Sequence, residues 1–171
     1  MTTQPTPGSW TLDPASSHIG LRHKTFWGLA NVVGGFGTIE GSGAIGADGT
    51  ATGRVSVDAA SLDTKNAKRD KHLRSKDFFD VEAHPRIVFE ATTVRSTSAT
   101  SAAVEGELTV RGQVRKLDFP AKVEAADADA VVLTGEVQID RADFGMTWNQ
   151  LGMLKSPATI DFSLRFTRTA V

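Results

Sequence analysis

Cysteine is absent from the 171 residues of the sequence. This absence excludes disulfide bonds, thiolate catalysis and metal sites built from cysteine ligands, and it fits a reducing compartment. The length suggests one domain with a substantial core. Hydrophobic residues make up 40% and charged residues 23%, which is the ordinary range for globular proteins.

An excess of charge of one sign is also lacking. Nineteen Lys and Arg residues face twenty Asp and Glu residues, for a net charge of −1. A dedicated nucleic-acid-binding protein usually has a strong basic excess, so we expect no nucleic-acid partner. The basic residues within 65–76 keep a nucleic-acid binder open as an alternative, whose binding would weaken steeply as salt rises.

The sequence also lacks long apolar runs and the pattern of a secretion signal. The first residues, MTTQPTPGSW, have neither a basic n-region nor an apolar h-region. No apolar run approaches the length of a transmembrane helix. We therefore expect a cytoplasmic protein without stable membrane insertion. The polar residues 1–9 are predicted to form a flexible N-terminal tail, and residues 10–171 a single domain.

Alternation of apolar and polar residues is the dominant pattern that is present. A period of two indicates strands with one buried and one solvated face, the habit of antiparallel sheets. An Asp-Gly pair at 48–49 and a glycine at 112 favour tight turns between strands. About eight strands are predicted, which suit a closed barrel or a sandwich. The segments are 19–24, 36–46, 51–59, 86–95, 103–110, 115–123, 131–140 and 159–167.

Two segments break this alternation. Residues 61–76 are rich in helix formers and predict one short helix, with Ser61 or Asp63 as candidate N-cap. This helix has few apolar side chains, so we expect it on a surface or across an opening. Residues 141–157 form a long apolar connection, and we expect them to pack over a barrel opening or to line a pocket.

The glycine-rich stretch 34–43 resembles a phosphate-binding loop only superficially. It lacks the Gly-Lys-Ser/Thr ending, and a strand pattern follows it instead of a helix. Glycines within strands mark bends or close approach of another group, so we expect strong barrel curvature here. Ser42 lacks the strand–turn–helix context of a nucleophile elbow, which disfavours a serine hydrolase.

The four histidines do not have the spacing of a metal site. His18 and His23 are five residues apart and face opposite sides of a regular strand. His23 has the inward parity of Ile19 and Leu21, so its ring contacts either a ligand or an internal partner. The strand carboxylates fall on solvated faces. No nucleophile, base and orienting group form a recognisable set, so we predict neither catalytic residues nor a metal site.

Aromatic side chains are spread over nearly all the predicted elements, many with inward parity. A plain core explains most of them. A small antiparallel barrel can also enclose a long apolar cavity, and segments 26–36 and 144–154 supply apolar covers for its two ends.

Several motifs lie in a distinctive order along the chain. The longest reads RDKHLRSKDFFD at 69–80. The others are Trp10-Thr11-Leu12-Asp13, Ser17-His18-Ile19 followed by His23, His84-Pro85-Arg86-Ile87-Val88-Phe89, 106–112 and 139–145. Together they resemble the YceI-like family, also called the polyisoprenoid-binding or lipid-binding family, over about residues 10–168.

The resemblance implies an all-β, lipocalin-like fold. The expected architecture is an eight-stranded antiparallel barrel with an internal channel, a short helix at about 61–76 and the apolar loop at about 141–157 near its openings. Members of the family hold polyisoprenoid chains, including quinone-like and prenyl-diphosphate-like molecules, and many are periplasmic or secreted. We therefore expect a protein that binds and carries or sequesters such a lipid, with no other cofactor.

Candidate ligand contacts follow from the family and from inward parity. His23, Arg69 and His72 are candidates for a polar head group, or for an internal hydrogen-bond network that ties the helix to the barrel. Two further alternatives are an enzyme with His23 as acid or base, and a binder of a fatty acid or amide. A homodimer stays open as an assembly. The predicted ligand-binding residues are Ile19, Leu21, His23, Phe26, Trp27, Phe36, Arg69, His72, Phe78, Phe79, Phe89, Leu108, Phe119, Phe144, Met146, Trp148, Met153 and Phe162.

Overall fold

Strands make up most of the fold. The computed structural model describes residues 5–25, 30–144 and 158–169. Short 3₁₀ helices lie at Pro14–Ser16, Ala59–Ser61 and Arg141–Phe144. The main elements are β1 (Gly8–Leu12), β2 (His18–Thr25), β3 (Ala30–Phe36), β4 (Ile39–Ile45), β5 (Ala51–Asp58), β6 (Leu62–Asp63), α1 (Ala67–Leu73), β7 (Arg86–Ser98), β8 (Ser101–Val110), β9 (Gln113–Ala126), β10 (Ala130–Ile139) and β11 (Ala158–Arg168).

The strands form a closed antiparallel barrel. β1 pairs with β4 on one side and with β11 on the other, which closes the ring β1-β4-β5-β7-β8-β9-β10-β11. β2, β3 and β6 continue β1, β4 and β5 beyond short interruptions and pair with one another and with β11. The barrel therefore has eight strands, three of which are interrupted. The predicted barrel is confirmed, and closure decides against a sandwich.

Successive connections alternate between the two ends of the barrel. We call the end that carries the turns at 46–50, 99–100 and 127–129 the turn end. The N-terminal residues reach it, because the Thr6 N–H donates to the Ala128 carbonyl at 3.1 Å. The opposite end carries α1 and the turn at 111–112, and we call it the helix end.

Two hairpin turns confirm the glycine signals in the sequence. Gly49 has a φ of +86° in the turn between β4 and β5. Arg111 and Gly112 both have positive φ between the paired residues Val110 and Gln113. Positive φ at both central residues is the geometry of the two-residue hairpin whose twist matches the strands.

The predicted helix is present but shorter than 61–76. Leu62 and Asp63 pair with Phe36 and Gly35 as strand β6, so helical hydrogen bonding cannot begin there. The helix begins only after Asn66, whose side chain accepts a hydrogen bond from the Arg69 N–H at 3.0 Å. The N-cap is thus Asn66 and not Ser61 or Asp63.

Three strands, β1, β3 and the two-residue β6, were absent from the prediction, and several expected boundaries differ by a few residues. β1 and β3 escaped the period-two search, and the expected strand at 36–46 starts only at Ile39, after a break at Gly37 and Thr38. β1 begins at Gly8, so residues 8 and 9 of the expected tail lie in a strand. Residues 1–4 lie outside the described residues, and the tail's flexibility stays a prediction.

The tightest packing lies toward the helix end. Leu62 and Ala59 are each 1% exposed, and Phe78 and Phe79 are buried among the same cluster. These residues belong to the segment between β5 and β7, which folds back on the barrel as a cover. Within the described part of the chain, no helix is long and apolar enough to span a membrane.

Candidate ligand-binding cavity

The barrel encloses an apolar cavity of about 360 Å³. Its wall consists of inward-facing residues at alternate positions of the strands, as the pleat requires. On β11, for example, Ile160, Phe162, Leu164 and Phe166 point inward yet stay partly accessible, because they face open space and not a filled core. The volume falls in the range of small-molecule pockets, about 300–1,000 Å³.

Half of the predicted ligand-binding residues line this cavity. They come from six strands, from the 3₁₀ helix at Arg141–Phe144 and from the connection between α1 and β7, and the fold brings them to one surface. They are Ile19, Leu21, Phe36, Phe79, Phe89, Leu108, Phe119, Phe144 and Phe162. Inward parity predicted most of the strand residues among them, whereas Phe79 and Phe144 were predicted from the helix segment and the apolar loop. The contact of these residues with a ligand stays a prediction.

The cavity wall changes character along the barrel. Toward the helix end the wall residues are large, with Phe79, Leu108 and Phe144 each at most 9% exposed. Toward the turn end, small wall residues alternate with large ones such as Trp10, Leu133 and Phe166. The small wall residues are Gly43, Ala44, Ala51, Gly53, Ala91, Ala99, Ala102 and Ala121. These small residues leave room in the bore on the β4–β9 side of the turn end, whereas the buried cover packs against the helix end.

Hydroxyl groups of the β7–β8 hairpin lie at the turn end of the cavity. Ser96 and Ser98 line the cavity at the end of β7. The Ser98 hydroxyl lies 2.7 Å from that of Ser101, which in turn lies 2.7 Å from the hydroxyl of Thr97. We call Ser96, Thr97, Ser98 and Ser101 the hydroxyl rim. It offers neutral donors and acceptors next to apolar wall, which suits an amphiphile.

Three phenylalanine rings cross the middle of the cavity wall. Phe119 lies between Phe89 and Phe162, with ring centroids 5.4 Å and 5.6 Å apart. They stand on β7, β9 and β11. The strands between, β8 and β10, carry Gly106 and Gly135 at the neighbouring positions. We call these three rings and two glycines the aromatic belt.

The polar residues of α1 point away from the cavity. Arg69 donates from Nε to the Thr64 hydroxyl at 2.8 Å and from Nη2 to the Thr64 carbonyl at 2.6 Å. Asp70, 5% exposed, accepts from both the N–H and the hydroxyl of Thr64. This cluster matches the internal network that the sequence left open as the alternative role of Arg69. Its predicted contact with a head group stays untested.

The remaining described candidates also lie off the cavity wall. His72 bonds to Asp77 through Nε2 at 2.8 Å, and its ring packs nearly perpendicular to that of Phe78, with centroids 5.1 Å apart. Phe78 is buried in the cover over the helix end. His23 is partly buried on β2, opposite Val32. None of the three is among the residues that line the cavity.

Five predicted residues lie outside the described part of the chain. They are Phe26, Trp27, Met146, Trp148 and Met153. The same holds for residues 26–29 and 145–154 of the two segments expected to cover the barrel ends. The rest of the first segment, Ala30–Phe36, forms β3 of the barrel wall and not a cover. Of the second, Phe144 is described, and it is 3% exposed at the helix end of the cavity.

The histidines and carboxylates of the described residues form no recognisable metal site. No group of three or more His, Asp or Glu side chains in the described ranges could hold a metal ion. His18 pairs with Asp161 on the outer surface, with Nε2 and Oδ2 3.3 Å apart. Arg22 likewise pairs with Glu136 across the outer face.

The sequence interpretation missed the small residues of the wall and Trp10. Trp10 lines the cavity, is 3% exposed, and donates from its indole N–H to the Thr6 carbonyl at 3.0 Å. A period-two pattern includes Gly43, Gly53, Ala102 and Ala121 but cannot separate a filled core from a hollow one. The accumulation of glycine and alanine at inward positions was the available signal.

A closed eight-stranded antiparallel barrel with an apolar interior cavity defines a lipocalin-like architecture. Residues 10–166 match the YceI-like domain family, so the chain belongs to that family. A UPF0312 protein of Ectopseudomonas mendocina is 34% identical over 116 residues, which cover 66% of this chain and 61% of the relative. One from Vibrio campbellii is 26% identical over 163 residues, which cover 91% and 84%.

Solved structures show the same fold. BcnA from Burkholderia cenocepacia superposes with a TM-score of 0.80 at 19% identity, over 90% of this chain and 98% of that one. A domain from Saccharophagus degradans, described as polyisoprenoid-binding and implicated in plant cell wall breakdown, has a TM-score of 0.72 at 18% identity, over 94% and 98%. At these identities the likeness shows the fold alone.

Proposed function

We propose that the protein binds a long apolar isoprenoid-type lipid inside the barrel, and carries or sequesters it. The observation that carries this proposal is the continuous apolar cavity, which reaches from Phe79 and Phe144 at the helix end to Ser98 and Ala99 at the turn end. The family supports it, since one structural relative is described as a polyisoprenoid-binding domain.

Burial of the chain supplies the binding energy. Each buried CH₂ group contributes about 0.8 kcal/mol, so a chain of about 15 carbons gains on the order of 10 kcal/mol before association costs. Such burial discriminates poorly between lipids of similar length. Discrimination then depends on the shape of the bore and on polar groups at one end.

The head group of the ligand lies at the turn end in this proposal. Ser96 and Ser98 bring neutral hydroxyl groups to this end of the cavity. At the other end, the guanidinium of Arg69 is engaged by Thr64. A polyprenyl or quinone ligand with a neutral head fits the hydroxyl rim, while a prenyl diphosphate, a fatty acid and an amide serve as competing ligands in the test.

A single bulky substitution in the wall tests the proposal. Ala91→Phe places a ring in the bore, whereas Thr92→Phe places the same ring on the exposed outer face of β7. Binding of a long polyprenol, followed by calorimetry, should fall at least about tenfold in Ala91→Phe and stay unchanged in Thr92→Phe. Leu133→Trp is the second blocking variant if Ala91→Phe folds poorly. Equal binding by the blocked and control variants contradicts an internal site.

The proposal has three further parts: the protein binds its ligand without catalysing a reaction, it acts in the cytoplasm, and it binds no nucleic acid. Incubation with a bound prenol or quinone should return the molecule chemically unchanged, and a changed product would indicate an enzyme. Cell fractionation tests the location. Light scattering with and without lipid tests whether the working form is a monomer or a homodimer.

A further inference from the structure

Phe162 lies directly over the backbone of Gly135. The β10–β11 register places the two residues opposite each other. A Cβ atom on Gly135 would lie 2.7 Å from Cζ and 3.0 Å from Cε1 of the Phe162 ring, well inside van der Waals contact. The ring therefore occupies the space that any other residue at position 135 would fill.

The same arrangement recurs on the far side of the aromatic belt. A Cβ atom on Gly106 would lie 2.7 Å from Cζ of Phe89. The two sites differ in one respect. At Gly106 the carbonyl oxygen of Glu90 and the Cα of Ala91 also crowd the missing side chain. At Gly135 the nearest backbone atom is the Pro120 carbonyl oxygen, at 3.5 Å.

This difference decides what a methyl group would do at each position. At Gly106 the obstacle includes backbone, so the strands themselves would have to shift. At Gly135 only the far end of a side chain stands in the way. The Phe162 ring would have to leave the wall, and because the sheet lies behind it, the open direction is toward the cavity.

We propose that Gly135 and Phe162 determine ligand specificity by setting the bore of the barrel at the aromatic belt. This inference rests on the proposed function. The ring, held flat by the glycine, leaves room for a prenyl chain to pass from the turn end toward Phe79 and Phe144. The rings of the aromatic belt also contact that chain. Phe119 packs against both Phe89 and Phe162, the two rings that lie over glycines, and so connects them.

Chain length is the property that reports on the bore. The probes are geraniol, farnesol and geranylgeraniol, in order of increasing length. The measured quantity is the affinity for geranylgeraniol divided by that for geraniol. Gly135→Ala should lower this ratio at least about tenfold, since the longer chain loses buried surface beyond the belt while the shorter chain does not reach it.

Three further variants make the test specific. Gly35→Ala is the matched control, because its Cβ would face the outer surface with no atom closer than 3.5 Å, and the ratio should stay at the wild-type value. In Phe162→Ala the ring is gone, so adding Gly135→Ala should change the ratio less than about twofold. Phe162→Leu widens the bore without touching Gly135 and should raise the ratio at least about threefold.

The outcomes separate this inference from the proposed function. If the wild-type protein binds none of the prenols, the proposed function fails, and the specificity inference falls with it. Two results would overturn only the inference while wild type still binds the prenols. In the first, Gly135→Ala lowers the affinity for all chain lengths equally. In the second, Gly135→Ala changes the affinity ratio as strongly in the Phe162→Ala background as in wild type. If Gly135→Ala does not fold, an unchanged ratio in Phe162→Leu overturns the inference.

Discussion

The carboxylate of Asp70 binds Thr64 through both its backbone N–H and its hydroxyl group. Both residues are buried, at 5% and 3% exposed. The Thr64 methyl group in turn lies so close to β3 that a Cβ atom on Gly34 would be 2.7 Å from it. One buried threonine thus connects α1 to the barrel wall, and Arg69 adds two hydrogen bonds to the same residue.

Replacement of Asp70 tests this connection. Asp70→Ala leaves the N–H and hydroxyl of Thr64 without their acceptor in a buried place, so we expect the free energy of unfolding to fall by about 3 kcal/mol. Urea unfolding followed by circular dichroism measures it. Glu82→Ala, at an exposed position of the same segment, should change it by less than about 0.5 kcal/mol. A loss at Asp70 as small as at Glu82 would contradict the connection.

Leu62 is the most buried large side chain at the helix end, at 1% exposed. Leu62→Ala removes packing from the buried cluster that also contains Phe36 and Phe79, and it should cost about 2–5 kcal/mol. Val33→Ala, on a side chain that is 56% exposed, should cost less than about 0.5 kcal/mol. Guanidinium unfolding of both variants gives the comparison, and near-equal midpoints would show that the cover is loosely packed.

Gly112 has a φ of +72° in the turn between β8 and β9. Gly112→Ala forces an L side chain into the left-handed region, and its Cβ would lie 3.0 Å from Cε1 of His84. We expect a loss of about 1–2 kcal/mol in unfolding free energy. Gly37→Ala is the control, because its Cβ would be 3.8 Å from the nearest atom, the Ser61 carbonyl oxygen. Equal thermal stability of the two variants would argue against this turn geometry.

Lys65 lowers the pKa of the Asp63 carboxyl below its ordinary value of 3.8. The backbone N–H of Lys65, at 2.8 Å, is the largest cause, and its ammonium group is the second. Because the folded-state pKa is depressed, the associated stability is present above pH 3.8 and is lost as pH falls through the lower folded-state value. Carboxyl NMR titration checks the pKa. Lys65→Gly keeps the N–H and should retain most of the depression, and a return to 3.8 would contradict the assigned cause.

Eight of the eleven strands, and the inward parity of most of their wall residues, could be predicted from the sequence. The positions 131, 133, 137 and 139 of β10, and 117, 119, 121 and 123 of β9, face the cavity as the alternation indicates. On β7 the alternation is blurred at Val94, and the register shift between Ala91 and Thr93 explains why. A bulge of one residue moves Val94, Ser96 and Ser98 to the inner face.

Features that depend on tertiary pairing could not be predicted. The start of α1 moved from 61 to 67 because Leu62 and Asp63 gained strand partners on β3, which local helix propensity does not reveal. The distribution of small and large residues around the cavity and the stacking of Phe162 over Gly135 depend on which residues the barrel register brings opposite each other. The sequence shows a glycine and a phenylalanine 27 positions apart but not their contact.

Native mass spectrometry of the purified protein, before and after extraction with organic solvent, tests the central claim most directly. We predict an added mass that extraction removes, that chromatography identifies as an isoprenoid chain, and that a prenol or quinone restores. A protein that carries no added mass and then binds neither prenyl chains, quinones nor fatty acids would contradict the proposed function.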